Sequence, residues 1–478
     1  MFEKIQGLIN SVVKKEFAKA SIYYVAANII GQGVVLLSSA IFTRMMSKAD
    51  FGLVSTYSTW VLILNAFVCL SLFVSVRTAY VDFEEDYDDY NSSVLLLCIL
   101  CGIVMTVAIT GINALCGMRF GTYEVLLACT QSVALNFVNY MMAVQAMKNE
   151  YKQRTFMMIA PNWTHIVLSI VLMFIFSSNQ YMAKIAGNAF GILVFGLMCV
   201  VIMFCKARPR IIPRYWKYAL KISVPFIFFI LSELILIQCD RLMLTALSGA
   251  EETAEYSVVY NLSYILVGIY QAINGAWLPW FFDRVKENDV LKSREINGYY
   301  ILIFTVISCG MMTVAPEMIK IISPKNYWNG ISYIAPLIMA SFLIFLYAFF
   351  TSYMLYQKRT TRIAVNTIIA AVLNLMINYY LIPDYGAKGA VTATLISYVV
   401  LFLLHLIAIK KDGIEYFCIG KMWLYIIITS GYGVWLYLTK DNWMLRYAVL
   451  IVIMIVLYYT YGKKLLISSI KIDGGKME

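Results

Sequence analysis

The chain has 478 residues, 61% of them apolar and only 14% charged, with a net charge of +11. A soluble domain is nearer half apolar and about a quarter charged, so this chain cannot cover itself with polar groups in water and takes lipid as its solvent. The cations lie between apolar runs rather than on a basic patch with interleaved aromatics, which argues against nucleic acid, and two histidines with one isolated Cys98-x-x-Cys101 argue against a metal site or a disulfide framework.

Along the chain, residues 1–19 come first, with Ile5, Leu8, Ile9, Val12 and Val13 at helical spacing beside Lys4, Lys14 and Lys15. This is not a cleavable signal. It reads either as a short amphipathic helix on the membrane surface or as a solvated start to the first span. A helix needs about 20 apolar residues to cross the hydrocarbon core. Fourteen such segments follow, the first centred near Gly31 and the last near Met454. The expected fold is therefore all-α and integral to the membrane.

An even number of spans puts both termini on one side. With that side taken as the cytoplasm, about 28 of the 38 Lys and Arg fall there, as the positive-inside rule requires. The outward turns around Ser177–Gln180 and Ser248–Glu255 carry no Lys or Arg. One inward loop is acidic, from Asp82 to Asp89. Its Asp86-Tyr87-Asp88 matches a metal-binding DxD of glycosyltransferases only superficially, because no nucleotide-binding domain surrounds it, and it reads as a solvated turn.

The chain repeats itself at long range, a pointer to transporters. Tyr181-Met-Ala-Lys184-Ile-Ala186 aligns with Tyr385-Gly-Ala-Lys388-Gly-Ala390, and at the same offset Gln153, Ala160 and Asn162 meet Gln357, Ala364 and Asn366. Six spans separate the copies, which predicts two pseudo-symmetric six-helix lobes. The expected limits are an N-lobe over 20–205, a basic linker over 206–221 broken by Pro209 and Pro213, and a C-lobe over 222–410. Two further helices over 421–462 and a cytoplasmic tail over 463–478 complete the chain.

Polar stripes mark helix faces turned away from lipid. Ser21, Asn28, Gln32 and Ser39 share a face of the first span, and Asn261, Tyr264, Gly268, Gln271 and Gly275 share one of the eighth; both are expected to line a cavity. Gln131, Asn136 and Asn139 of the fourth suit helix–helix packing. Charges inside spans are sharper, since each costs about 2.5–3.5 kcal/mol at mid-helix on the mildest scale. Glu233 lies about 18 Å along the seventh helix from Lys221, near mid-membrane, and Asp240 is almost on its face with Arg241 next in sequence. Glu233 is either a neutral hydrogen-bonded acid or a cation-coupling group, and Asp240 is the second coupling candidate. His165, after Pro161, reads as packed beside a kink. Arg44, Lys184 and Arg77 lie near the rims, where they contact lipid phosphate or guide an anionic substrate.

Three motifs carry a family resemblance. Thr43-Arg44-Met-Met-Ser47-Lys48-Ala-Asp50-Phe51-Gly52 resembles the end of the first helix in polysaccharide flippases of the multidrug, oligosaccharidyl-lipid and polysaccharide exporter superfamily. Tyr215-Trp216-Lys217, Pro225, Asp240-Arg241 and Tyr256-Ser257 resemble the start of that family's second half. Leu381-Ile-Pro383 with Tyr385–Ala390 and Thr394 is similar to its eleventh-to-twelfth helix turn. The resemblance implies a non-enzymatic transporter of the bacterial cell membrane that flips undecaprenyl-diphosphate-linked oligosaccharide repeat units outward by alternating access. Its implied partners are that lipid-linked substrate, membrane lipids, an H+ or Na+ coupling ion and polysaccharide polymerase machinery, with no cofactor. The family's cationic cavity is not matched in the middle of the first helix, which has Asn28 and Gln32 but no Arg. The alternatives are a cation-coupled multidrug antiporter of the same fold and a membrane-embedded glycan polymerase or ligase, the latter disfavoured by short outward turns.

Overall fold

The structure is a computed structural model and describes residues 2–116, 121–439 and 442–457. The backbone of 1–19 from Phe2 on is helical and continuous with the first span, but its side chains, and the tail 463–478, lie outside the described residues. In hydrocarbon every backbone N–H and C=O must be satisfied within the chain, and helices do this locally. The described residues accordingly form fifteen α-helices: α1 (Phe2–Met45), α2 (Lys48–Val68), α3 (Val76–Asp82), α4 (Tyr87–Cys116), α5 (Thr122–Met147), α6 (Tyr151–Ile175), α7 (Gln180–Lys206), α8 (Pro213–Leu247), α9 (Ala250–Lys286), α10 (Val290–Ile322), α11 (Ile334–Tyr356), α12 (Thr360–Tyr385), α13 (Ala387–Lys411), α14 (Ile419–Leu438) and α15 (Trp443–Leu457).

Among the described residues eleven helices are long and apolar enough to cross a membrane, and twelve when bent α9 counts as one. Helices α14 and α15 stand at the last two of the fourteen expected spans, but over their described residues neither meets that test, so the described spans number eleven or twelve rather than fourteen; α3 is a short surface helix. The bend in α9 is 49°, between Gly275 and Trp277. Pro279 explains it: proline has no N–H for the carbonyl four residues back, here Gly275, and its ring crowds that carbonyl. Helix starts follow local chemistry. Ser47 Oγ accepts from Asp50 N at 3.1 Å and Asn179 Oδ1 from Met182 N at 3.0 Å, each filling an orphan donor of a first turn. Pro213 opens α8, where the missing N–H costs nothing, so the predicted linker is helical from that residue on.

Packing repeats between the two halves. Helix α6 lies on α7, α7 on α5, α5 on α2 and α6 on α1; likewise α12 lies on α13, α13 on α11, α11 on α9 and α12 on α8. Two six-helix lobes result, α1 with α2 and α4–α7, and α8–α13. They meet mainly through α2 against α8 and α9, and α1 against α9. Helices α14 and α15 sit outside on α10 and α11, fixed by buried Arg446 of α15, which pairs with Glu317 of α10.

The core does not divide where the lobes do. One apolar cluster fills the C-lobe and continues through Phe42 of α1, Met46 just after it, and Phe51 and Val54 of α2. A second, in the N-lobe, takes in Tyr215 and Ala219 from the start of α8. There Phe83 and Tyr90 pack edge-on to Tyr215, and Trp216 Nε1 donates to Ser93 O at 3.0 Å. The end of the bundle holding this junction and the Lys206–Lys221 stretch is called the basic end below, and the opposite one the far end.

Candidate functional site

The lobes are joined at the far end. Gly52 of α2 lies so near α9 that an added Cβ would stand 1.8 Å from Ala250 O, so only glycine permits the approach. Lys48 Nζ pairs with Glu255 at 2.8 Å. Hydroxyls of Thr56, Thr245 and Thr253 form a chain across the seam at 2.5 and 2.7 Å. Arg44 donates to the carbonyls of Ile321 and Ile322, the last two residues of α10, where a cation meets the negative end of the helix dipole. Thr43 Oγ1 also reaches Ile322 O, at 3.1 Å.

Inside the C-lobe, Asp240 of α8 is fully buried and accepts three hydrogen bonds. Tyr256 OH and Thr394 Oγ1 donate to Oδ2 and Asn378 Nδ2 to Oδ1, each at 2.6 Å. Asn374 Oδ1 accepts the other bond from Asn378 Nδ2, at 3.0 Å. Asn378 Oδ1 has no hydrogen-bond partner among the described residues. A buried carboxylate is tolerable only with such donors around it. Arg241, adjacent in sequence, points elsewhere: it donates to Asn261 Oδ1 at 2.8 Å and Gln238 Oε1 at 3.1 Å, and lies 5.1 Å from the Tyr260 ring centre. The two side chains form no ion pair.

Glu233 stands seven residues before Asp240, on the wall of a cavity of about 910 Å³. Gln271 shares that wall, with Tyr264 and Tyr270 of α9, Tyr347 of α11 and Tyr398 of α13. All its lining residues belong to α8, α9, α11, α12 and α13, so the cavity lies within the C-lobe. Sequence reasoning expects a wet path between the lobes; the far-end contacts and the seating of Gln32 of α1 on Gly268 of α9, whose added Cβ would stand 3.0 Å from Gln32 Cγ, draw the lobes together there instead.

The predicted residues therefore separate into groups. Glu233 and Gln271 meet at the cavity, and Arg241 and Asn261 bond to each other. Asp240 holds its own node. Gln32 lies at the lobe contact, and Asn28 is half-buried on the same helix. Arg44 belongs to the far-end seam. Arg77 is exposed on α3 at the basic end. Lys184 is 4% exposed inside the N-lobe, 3.5 Å from the Phe42 ring centre and donating to Asn188 Oδ1 at 3.0 Å. On α5, Gln131 accepts from Tyr57 OH and Asn136 donates to Asn65 O, both on α2. The sequence patterns single out neither Asn374 and Asn378 nor Tyr270, Tyr347 and Tyr398; two asparagines four residues apart in the apolar α12 are the signal that marks the first pair.

The comparisons agree with this architecture. Residues 17–284 match the family model described as polysaccharide biosynthesis protein. An uncharacterized membrane protein of Haemophilus influenzae is 19% identical over 394 residues, covering 80% of this chain and 92% of that protein. Among solved structures, the lipid II flippase MurJ in an inward closed conformation superposes with a TM-score of 0.71 at 14% identity, covering 94% of this chain and 100% of that one. An inward-facing multidrug resistance MATE family transporter of the MOP superfamily gives 0.58 at 15% identity, covering 82% and 95%. At these identities the structures speak for the fold, while the sequence match extends over more than half of the chain: it is a multi-pass membrane protein that belongs to the polysaccharide biosynthesis protein family, with the fold of MOP superfamily transporters.

Proposed function

We propose that the chain flips an undecaprenyl-diphosphate-linked oligosaccharide repeat unit from the cytoplasmic to the outer leaflet of the bacterial cell membrane, for assembly of a surface polysaccharide. The observation that carries the proposal is family membership over residues 17–284 in a two-lobed transporter fold. The charged head group passes between the lobes while the polyprenyl tail stays in lipid. The basic end faces the cytoplasm, because cations concentrate there, and the far-end seam is the gate toward the outside. No catalytic step is needed, and polymerase machinery takes over the flipped unit.

Asp240 is the stronger of the two coupling candidates. Its carboxylate, the amide oxygens of Asn374 and Asn378 and the Thr394 hydroxyl are the oxygen ligands that hard cations take, and Asn378 Oδ1 is unpartnered. A proton or Na+ at Asp240 changes what Tyr256, Asn378 and Thr394 donate to, and so links occupancy to the packing of α8 on α12 and α13.

The test is deletion of the gene followed by leaflet-resolved lipid analysis. Undecaprenyl-linked repeat units should accumulate on the inner leaflet and return to wild-type levels on complementation. Unchanged levels in the deletion strain would falsify the flippase reading. An Asp240→Asn variant that exports normally across Na+ and pH gradients removes the coupling assignment alone.

A further inference from the structure

We propose that the C-lobe cavity is a ligand site of its own, taking an amphipathic monovalent organic cation whose charge rests on Glu233. The argument starts from an unbalanced charge. Among the described residues Glu233 is the only charged one lining the cavity. It takes part in none of the ion pairs formed by the described residues. A carboxylate at this depth in a membrane helix calls for a counter-charge.

The walls decide which counter-charge fits. A small metal ion takes about six to eight oxygen ligands at close range. Here the wall is mostly aliphatic and aromatic, with Leu236, Val267 and Ile344 beside the tyrosines. Tyr264 and Tyr347 line the same cavity as Glu233. Tyrosine ring faces attract a soft, weakly hydrated cation, each contact contributing about 0.5–2 kcal/mol when desolvated. The volume of about 910 Å³ is that of a small-molecule pocket, for which about 300–1,000 Å³ is usual. The cavity continues toward the basic end, where Thr360 and Thr361 of α12 line it, so a ligand has polar groups at its mouth and apolar walls beyond. A charged head at Glu233 and an apolar body along α11 and α12 satisfy every part of this lining.

The site stands apart from the head-group path between the lobes, and its test does not depend on polysaccharide export. Purified full-length protein in lipid nanodiscs is titrated with radiolabelled tetraphenylphosphonium, against empty nanodiscs. Saturable binding to one site per chain is expected. Glu233→Gln should weaken it at least tenfold, and Tyr347→Leu on the facing wall severalfold. Lys388→Gln, at an exposed far-end residue, should leave it unchanged. Neutral triphenylphosphine oxide should compete at least tenfold less well than the cation. Binding that does not saturate above empty discs overturns the proposal, as does a Glu233→Gln variant with wild-type affinity or a neutral analogue that competes equally. Should Glu233→Gln fail to fold, Tyr347→Leu and the neutral competitor decide the matter. Export measured in the same variants reports on the flippase reading separately.

Discussion

The two lobes share one packing scheme and differ in the charge they bury. The C-lobe buries charge of both signs, the carboxylate of Asp240 with three donors upon it and the guanidinium of Arg241 with two acceptors and a ring. The N-lobe buries a cation, Lys184, with one hydrogen bond to Asn188 and one ring beneath it. The sequence repeat sharpens the contrast: Lys184 and Lys388 align in matching motifs, yet Lys184 is buried and Lys388 exposed. A duplicated frame thus fixes where helices lie without fixing what each lobe holds. The lobe with a fully bonded carboxylate is also the one with the cavity.

The largest expected effect tests the C-lobe node. Asp240→Ala strands Tyr256, Asn378 and Thr394 without that acceptor and should cost about 3 kcal/mol, read as a fall in thermal unfolding midpoint of the lipid-embedded protein. Asp240→Asn should cost clearly less, since an amide oxygen still accepts; equal losses would mean that the node holds by shape alone. Next comes the seam between the lobes. Gly52→Val drives a side chain into Ala250 O, an overpacking of about 1–3 kcal/mol that should open the far end. Thiol labelling of a Thr56→Cys reporter should rise in that background, and unchanged labelling would show the seam to be inessential to closure.

In the N-lobe, Lys184→Met keeps the bulk and removes a thinly partnered charge. It should be neutral or stabilising by about 1 kcal/mol; a loss resembling that of Asp240→Ala would erase the contrast between the lobes. The smallest effect lies at the basic end, where Asp412 bonds Arg359 and, at 2.9 Å, Arg362. Slight burial works against ionisation there, but the two guanidiniums outweigh it and hold the carboxyl below the usual carboxylate range. A carboxyl depressed in the folded state contributes its stability above its unfolded pKa and loses it as pH falls through the folded one. Asp412→Asn should therefore cost about 0.5 kcal/mol at neutral pH and nothing in strong acid, by unfolding midpoints measured at both.

Much of this was open to sequence reasoning because lipid leaves a chain few options. Twenty-residue apolar runs must be helices, and the Tyr-x-x-Lys repeat gives the duplication. Of the eighth-span stripe, Tyr264 and Gln271 line the C-lobe cavity, while Asn261 bonds Arg241 and Gly268 meets Gln32. Helical spacing gives the direction of a side chain but not its neighbour, and the fold gives adjacent Asp240 and Arg241 separate partners. Lys48 with Glu255, and Asn378 with Asp240, are 207 and 138 residues apart in sequence. No local pattern can pair them.

The aromatic junction at the basic end has a mechanical consequence. By chain order α8 opens the second repeat, but Tyr215 and Ala219 are cemented into the first lobe's core while Leu236 and Leu244 lie in the other. Any swivel of one half against the other must then be absorbed as flexure of α8 between these anchorages. Pro225, which leaves the Lys221 carbonyl without its helical N–H partner, falls within that interval and makes it the softest stretch of the rod.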